Sequence, residues 1–134
     1  MPNAKTMIRA KNIHKFYGTL EVLKGVDIHI KPSEVVSIVG ESGAGKSTLL
    51  QILGTLDKPS DFDKYGTEIT LDGNSYLKMK DKELSKFRNR NIGFVFQNHQ
   101  LLPEFTALEN VLLPSRIGGI AEKEVIEKAH SLFE

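Results

Sequence analysis

Val26, Ile28 and Ile30 alternate with Asp27, His29 and Lys31. A two-residue period puts one set on each face of a strand, so this segment is predicted to be half buried and paired antiparallel near a sheet edge. The stretch before it, MIRAKNIHKFYG (7–18), also has strand character. Glu34 to Val39, EVVSIV, is short, rich in β-branched residues and nearly all apolar, the pattern of a central strand covered on both faces. From Lys46 to Leu56 the spacing changes to a helical one, with Leu49, Leu50, Ile52, Leu53 and Leu56 occupying much of the circumference, which predicts a buried helix.

A polar loop follows (Asp57 to Gly66), then TEITLDG, a strand running into an Asp-Gly turn. Asp81 to Arg90 is predicted as a helix with Leu84 and Phe87 facing inward. NIGFVFQ (91–97) has the character of another strand, and Asn98 to Phe105 that of a loop. TALENVLLP should be a short helix capped by Thr106, with Glu109 at the capping-box position and an end before Pro114. Ile120 to Phe133 carries a last amphipathic stripe of Val125, Ile126, Ala129, Leu132 and Phe133. That stripe still runs at Glu134 with no closing glycine, asparagine or proline. The expectation is a chain that stops inside a larger domain with an unfinished sheet; the alternative is a frayed terminal helix.

Composition narrows the picture by exclusion. The 134 residues are 40% hydrophobic and 26% charged, with net charge +1. This fits a soluble globular domain and gives no bulk electrostatic reason for a nucleic-acid or anionic-membrane partner. There is no cysteine, hence no disulfide or cysteine-based metal site. The N-terminal stretch has no apolar core of the signal-peptide kind, and no apolar run is long enough to span a bilayer, so a membrane role would come through a partner. His14, His29, His99 and His130 show no paired carboxylate or ligand spacing. The basic residues Lys78, Lys80, Lys82, Lys86, Arg88 and Arg90 are interrupted by Asp81 and Glu83, as on a solvated helix face.

Chemistry concentrates at Gly40-Glu41-Ser42-Gly43-Ala44-Gly45-Lys46-Ser47, which satisfies G-x-x-x-x-G-K-[ST] between a predicted strand and a helix. Glycines open backbone conformations closed to other residues and bring amides close to an anion. Successive N–H groups form a nest, and the following helix adds its positive dipole end. Lys46 is placed to reach outer phosphates, Ser47 offers a hydroxyl to Mg²⁺, and Thr48 can donate to an inner phosphate. Two further residues are weaker candidates. Tyr17 ends the first strand and could stack on a base or simply pack. Gln97 ends a strand-like run and could face a ligand crevice or be an exposed loop residue.

In this order the motifs resemble the N-terminal part of an ATP-binding cassette (ABC) transporter ATPase. YGTLEVLKGVDIHI resembles the adenine-stacking segment, GESGAGKST the Walker A loop, and IGFVFQNHQLLPEFTALENV the Q-loop with the segment after it. The likeness covers essentially the whole chain and is strongest to ATPase subunits of lipoprotein-releasing transporters, with macrolide exporters next. It implies an α/β P-loop fold: a RecA-like parallel sheet, an antiparallel β region and the start of a helical subdomain, incomplete at the C-terminus. Residues 1–96 would hold the β region and P-loop core, and 97–134 the Q-loop and partial helical subdomain. KPSDFDKYGTEITLDG is longer than the family's usual turn.

The resemblance further implies ATP and Mg²⁺ as cofactors. Tyr17 would stack on adenine; Gly40, Ser42, Gly43, Ala44, Gly45, Lys46, Ser47 and Thr48 would hold phosphates; Ser47 and Gln97 would face the metal. Leu101, Leu102, Pro103 and Phe105 would touch a transmembrane permease, unless they form a small satellite core. A second copy of the ATPase would complete a homodimer, peripheral on the cytoplasmic face of the cell membrane, with no nucleic acid involved. The family's L-S-G-G-Q signature, Walker B acids, D-loop and switch histidine are absent from these 134 residues, so this stretch alone is expected to bind Mg-ATP weakly without turnover. ITLD, ending at Asp72, imitates a Walker B strand, but a hairpin turn is the better reading. A P-loop kinase, in which Asp72 would matter, and a non-catalytic nucleotide-binding module remain as alternatives.

Overall fold

The computed structural model describes residues 7–133. The chain divides into two compact units between Leu84 and Ser85, upstream of the 96/97 boundary drawn from the sequence.

The first unit is built on a four-stranded antiparallel sheet. Strands β1 (Ile8–Tyr17), β2 (Leu20–Ile30), β3 (Glu68–Leu71) and β4 (Asn74–Ser75) lie in the order β2-β1-β3-β4. The alternating segment is thus the outer strand β2, antiparallel to β1, as its pattern predicts. Register slips after Ala10 and Ile13 coincide with positive φ at Asn12 (55°) and Gly25 (80°), so bulges bend the β1–β2 ribbon. The Asn12 amide donates to Asp27 Oδ1 at 2.6 Å. Asp72 (φ 44°) and Gly73 (φ 80°) form the two-residue connection between β3 and β4. Positive φ at both positions is what a type I′ hairpin requires, which confirms the turn reading of ITLDG.

Helix α1 (Lys46–Leu53) contributes Leu49, Ile52 and Leu53 to the core, alongside Ala10, Ile13, Leu23, Ile69, Leu71 and Tyr76 from the sheet and its flank. Leu50 is exposed, so α1 buries one face and not most of its circumference as expected, and Leu56, beyond the helix, is exposed as well. Tyr76 is fully buried and donates its hydroxyl to the Ile52 carbonyl. Burial, and next the charge of Asp57, push the Tyr76 phenol well above its usual range.

The polar loop contains a short helix that the pattern did not predict, α2 (Phe62–Tyr65), bounded by Asp61 (φ 44°) and Gly66 (φ 62°). Tyr65 stacks on His14 with ring centroids 4.1 Å apart. His14 Nδ1 donates to Glu21 Oε1 at 2.8 Å. The expectation that no histidine has a carboxylate partner is therefore wrong for His14: the bulged ribbon brings together residues whose sequence spacing gives no hint of it.

Two predicted strands are not strands. Residues 34–39 and 92–97 form no regular element and belong to no sheet, and Val35, Val39 and Val95 are at least 86% exposed. Among the described residues there is no parallel strand pair. Both segments have strand composition, but a strand exists only where another backbone hydrogen-bonds to it.

In the second unit, α3 (Asp81–Asn91, whose Leu84 closes the first unit) is followed by α4 (Ala107–Ile117) and α5 (Glu122–Ser131). Leu84 is buried and Phe87 half buried, as predicted. Helices α4 and α5 pack together, burying Leu112 and Ala129. From the predicted last stripe, Leu132 and Phe133 lie beyond α5 and are exposed. The Thr106–Glu109 capping box is present in both directions. Backbone and hydroxyl hydrogen bonds from Thr106 hold the Glu109 carboxyl below its usual range.

Helix α4 does not stop before Pro114 but runs through it to Ile117. The proline forfeits one N–H bond, yet its carbonyl accepts from Asn89 Nδ2 at 2.8 Å and from the Gly118 amide at 2.9 Å. Among the described residues no helix is long and apolar enough to cross a membrane.

Candidate nucleotide site

The glycine-rich loop climbs from Gly40 into α1. It is closed by a turn from the Ala44 amide to the Glu41 carbonyl, 3.2 Å. Gly45 precedes the helix at φ 86°, ψ 10°, in the left-handed region. A Cβ there would stand 2.9 Å from both Leu23 Cδ2 and Val22 Cγ1, and 3.3 Å from the Val22 carbonyl oxygen. Only glycine fits where this loop meets β2. Gly43 is also left-handed (φ 78°), with open space around it.

No side chain caps α1, and its first turn contains no acidic residue. The protein itself supplies no charge to the positive end of the helix, which suits an external anion. Lys46 opens the helix. Its ammonium donates to the carbonyls of Gly40 (2.8 Å) and Glu41, so the cation sits over the loop it belongs to.

A cleft of about 390 Å³ lies over this loop, within the ~300–1,000 Å³ typical of small-molecule sites. Tyr17 and Val22 line it together with Ser42, Gly43 and Gly45 to Thr48. The structure thus brings Tyr17 together with the P-loop residues. A lysine ammonium, three hydroxyls and an uncapped helix start form a donor set that fits a polyphosphate, beside an aromatic ring that is 50% exposed.

Tyr17 has two neighbours that sequence reasoning missed. The Lys15 ammonium lies 5.4 Å from its ring centroid, and its hydroxyl donates to Asp57 Oδ2 at 3.4 Å. Lys15 also bonds Asp57 at 2.7 Å and the Lys58 carbonyl at 2.8 Å. Partial burial pushes the Asp57 carboxyl up, but the bonds from Lys15 and the Lys58 amide, the Lys15 charge and the Tyr17 hydroxyl outweigh it and hold the group below its usual range.

Gln97 lies in the second unit, exposed, at the end of the unpaired segment 92–97. The loop after it is exposed throughout. Leu101 is 60% exposed, Leu102 and Phe105 nearly 40%, so they are not a satellite core. Asn110, also missed, organises this loop. Its Oδ1 accepts from the Leu102 amide at 2.8 Å, and its Nδ2 donates to the carbonyls of Leu102, Phe105 and Thr106 at 2.9–3.1 Å. The only signal was an asparagine directly after the capping-box glutamate.

Residues 23–134 match the family model described as ABC transporter; the chain belongs to the ABC transporter family. Within that family it is similar to the lipoprotein-releasing system ATP-binding protein LolD. Identity to the Bacteroides thetaiotaomicron protein is 59% over 127 residues, covering 95% of this chain and 56% of that protein. To the Porphyromonas gingivalis protein it is 54%, with 95% and 56% covered. The chain therefore spans about half the length of these curated relatives.

Among solved structures, the ATP-binding cassette MJ0796 in a dimeric post-hydrolysis state bound to ADP and Pi aligns with a TM-score of 0.81 at 40% identity, covering 93% of this chain and 55% of that one. A second dimeric structure of that bacterial ABC transporter cassette gives 0.75 at 46%, covering 84% and 48%. The fold is the α/β P-loop fold of ABC ATPases, and the antiparallel β region, P-loop helix and following helices are its described parts.

Proposed function

We propose that the protein is the ATP-binding and ATP-hydrolysing subunit of an ABC transporter that releases lipoproteins. One observation carries this reading: Tyr17 and the residues Ser42, Gly43 and Gly45 to Thr48, far apart in sequence, line a single cleft. The similarity to lipoprotein-releasing ATPases supports the transported class.

In this reading Tyr17 stacks on the adenine. The amides of Gly40 to Gly45, including those of Ser42, Gly43 and Ala44, cradle the phosphates, and Lys46 turns from the loop carbonyls to the outer phosphates. Mg²⁺ bound with the nucleotide would neutralise developing charge on the phosphates. Ser47 supplies it a hydroxyl, Gln97 reports on metal and γ-phosphate, and Thr48 donates to an inner phosphate. Leu101, Leu102, Pro103 and Phe105, held outward by Asn110, dock on a transmembrane permease at the cytoplasmic face of the membrane. A second copy of the subunit completes the site, as the dimeric state of the cassette structures suggests. The kinase alternative relied on Asp72, which sits in a hairpin turn.

Isothermal titration with Mg-ATP tests the reading. Lys46 makes a charge-assisted contact worth about 1.5–3 kcal/mol. At about 1.4 kcal/mol per tenfold, Lys46→Ala should weaken binding by one to two orders of magnitude. Equal affinity in a folded variant would refute it.

A further inference from the structure

Lys15 and Tyr17 are two residues apart on β1 and so project from the same face of the strand. The Lys15 side chain is only 12% exposed, although its charge would ordinarily seek water. Its ammonium is fixed on three sides: the Asp57 carboxylate at 2.7 Å, the Lys58 carbonyl at 2.8 Å and the Tyr17 ring at 5.4 Å from the centroid. Asp57 also accepts from the Tyr17 hydroxyl at 3.4 Å. The ring is thus held twice, by a cation over it and by a tether on its phenol.

The tether leads back to the phosphate end. The amides of Leu56 and Asp57 both donate to the Gln51 carbonyl of α1, at 2.9 and 3.3 Å. The other end of α1 carries Lys46 and Ser47. One short helix therefore anchors the aromatic platform at its C-terminal side and the phosphate-binding groups at its N-terminal side.

We propose that Lys15 and Asp57 are positioning residues that hold the Tyr17 ring in place to stack on the base of the bound nucleotide. This rests on the reading of Tyr17 as the base platform. The ring meets the base already ordered, and the cost of immobilising it on binding has been met in folding. Neither residue touches the ligand.

The test compares Mg-ATP with Mg-tripolyphosphate on the full protein by titration calorimetry. The ratio of the two affinities reports the base and ribose alone. Stacking worth about 1–3 kcal/mol makes Tyr17→Ala lower the ratio about fivefold to a hundredfold. Lys15→Met and Asp57→Asn should each lower it about two- to tenfold, the cost of ordering one aromatic side chain. Lys15→Arg, which keeps the cation, should retain most of it. In a Tyr17→Ala background, Lys15→Met should cause no further fall.

An unchanged ratio in Lys15→Met would overturn the proposal, including the case in which both ligands weaken equally, since that is the mark of a merely structural bridge. So would a fall that persists without Tyr17. If Tyr17→Ala itself leaves the ratio intact, the base-stacking reading fails as well, which separates the two failures.

Discussion

Replacing Gly45 by alanine probes the junction on which the site is built. Two penalties can be read from the structure. The first is conformational: at φ 86° an L-residue occupies the left-handed region, at a cost of about 1–2 kcal/mol. The second is steric. The new methyl would stand 2.9 Å from Leu23 Cδ2 and Val22 Cγ1 and 3.3 Å from the Val22 carbonyl. Leu23 is itself only 4% exposed and has little room to retreat, and overpacking of this kind costs about 1–3 kcal/mol. The sum is a destabilisation of about 2–5 kcal/mol.

Gly43→Ala separates the two penalties, because Gly43 has nearly the same φ (78°) and a methyl added there would meet nothing within 4 Å. Both changes restrict the unfolded chain alike, so that effect cancels. Urea denaturation followed by far-ultraviolet circular dichroism should place Gly45→Ala about 1–3 kcal/mol below Gly43→Ala at equal m-value. Coincident curves would mean that the close approach of loop and strand does not constrain the fold.

Two other expectations concern electrostatics and loop order. The Asp57 carboxyl is held below its usual pKa, so the stability it contributes is full above pH 3.8 and is lost as pH falls through the lowered value. The melting-temperature gap between wild type and Asp57→Asn should therefore be widest near neutrality and close in acid; a gap constant with pH would contradict the assignment. Asn110→Ala removes the acceptor of the Leu102 amide, and at about 1 kcal/mol per bond that amide should exchange hydrogen about fivefold faster. Exchange at an unchanged rate would show that the loop holds its shape without the clamp.

What could be read from the sequence was whatever short-range chemistry dictates. The alternation of β2, the Asp-Gly turn, the Thr106–Glu109 box and the glycine-rich loop each act within a few residues, and each is found where it was expected. The strand predictions for 34–39 and 92–97 failed because composition records a tendency to pair and not the presence of a partner. Helix α2 escaped notice because four polar-flanked residues make too little periodicity to detect. The proline rule failed for α4, which runs through Pro114 to Ile117 at the cost of one N–H bond. At the site, the phosphate end was legible as a motif. The Lys15–Asp57 pair was not, because its members are 42 residues apart and neither is unusual in its local sequence.

The unpaired segments 34–39 and 92–97 also bear on how the molecule behaves in concentrated solution. Val35, Val36, Val39, Val95 and Phe96 are all exposed, and between Val35 and Val39 no charge interrupts them. Exposed, β-prone and uncharged stretches recruit one another edge to edge, the first step of intermolecular sheet growth. The buried set around Ile13, Ile52 and Ile69 holds the first unit together, whereas these exposed valines lie outside it and are expected to affect association more than folding stability. A lysine at Val35 would improve solubility without touching that core, at a segment leading directly into the phosphate loop.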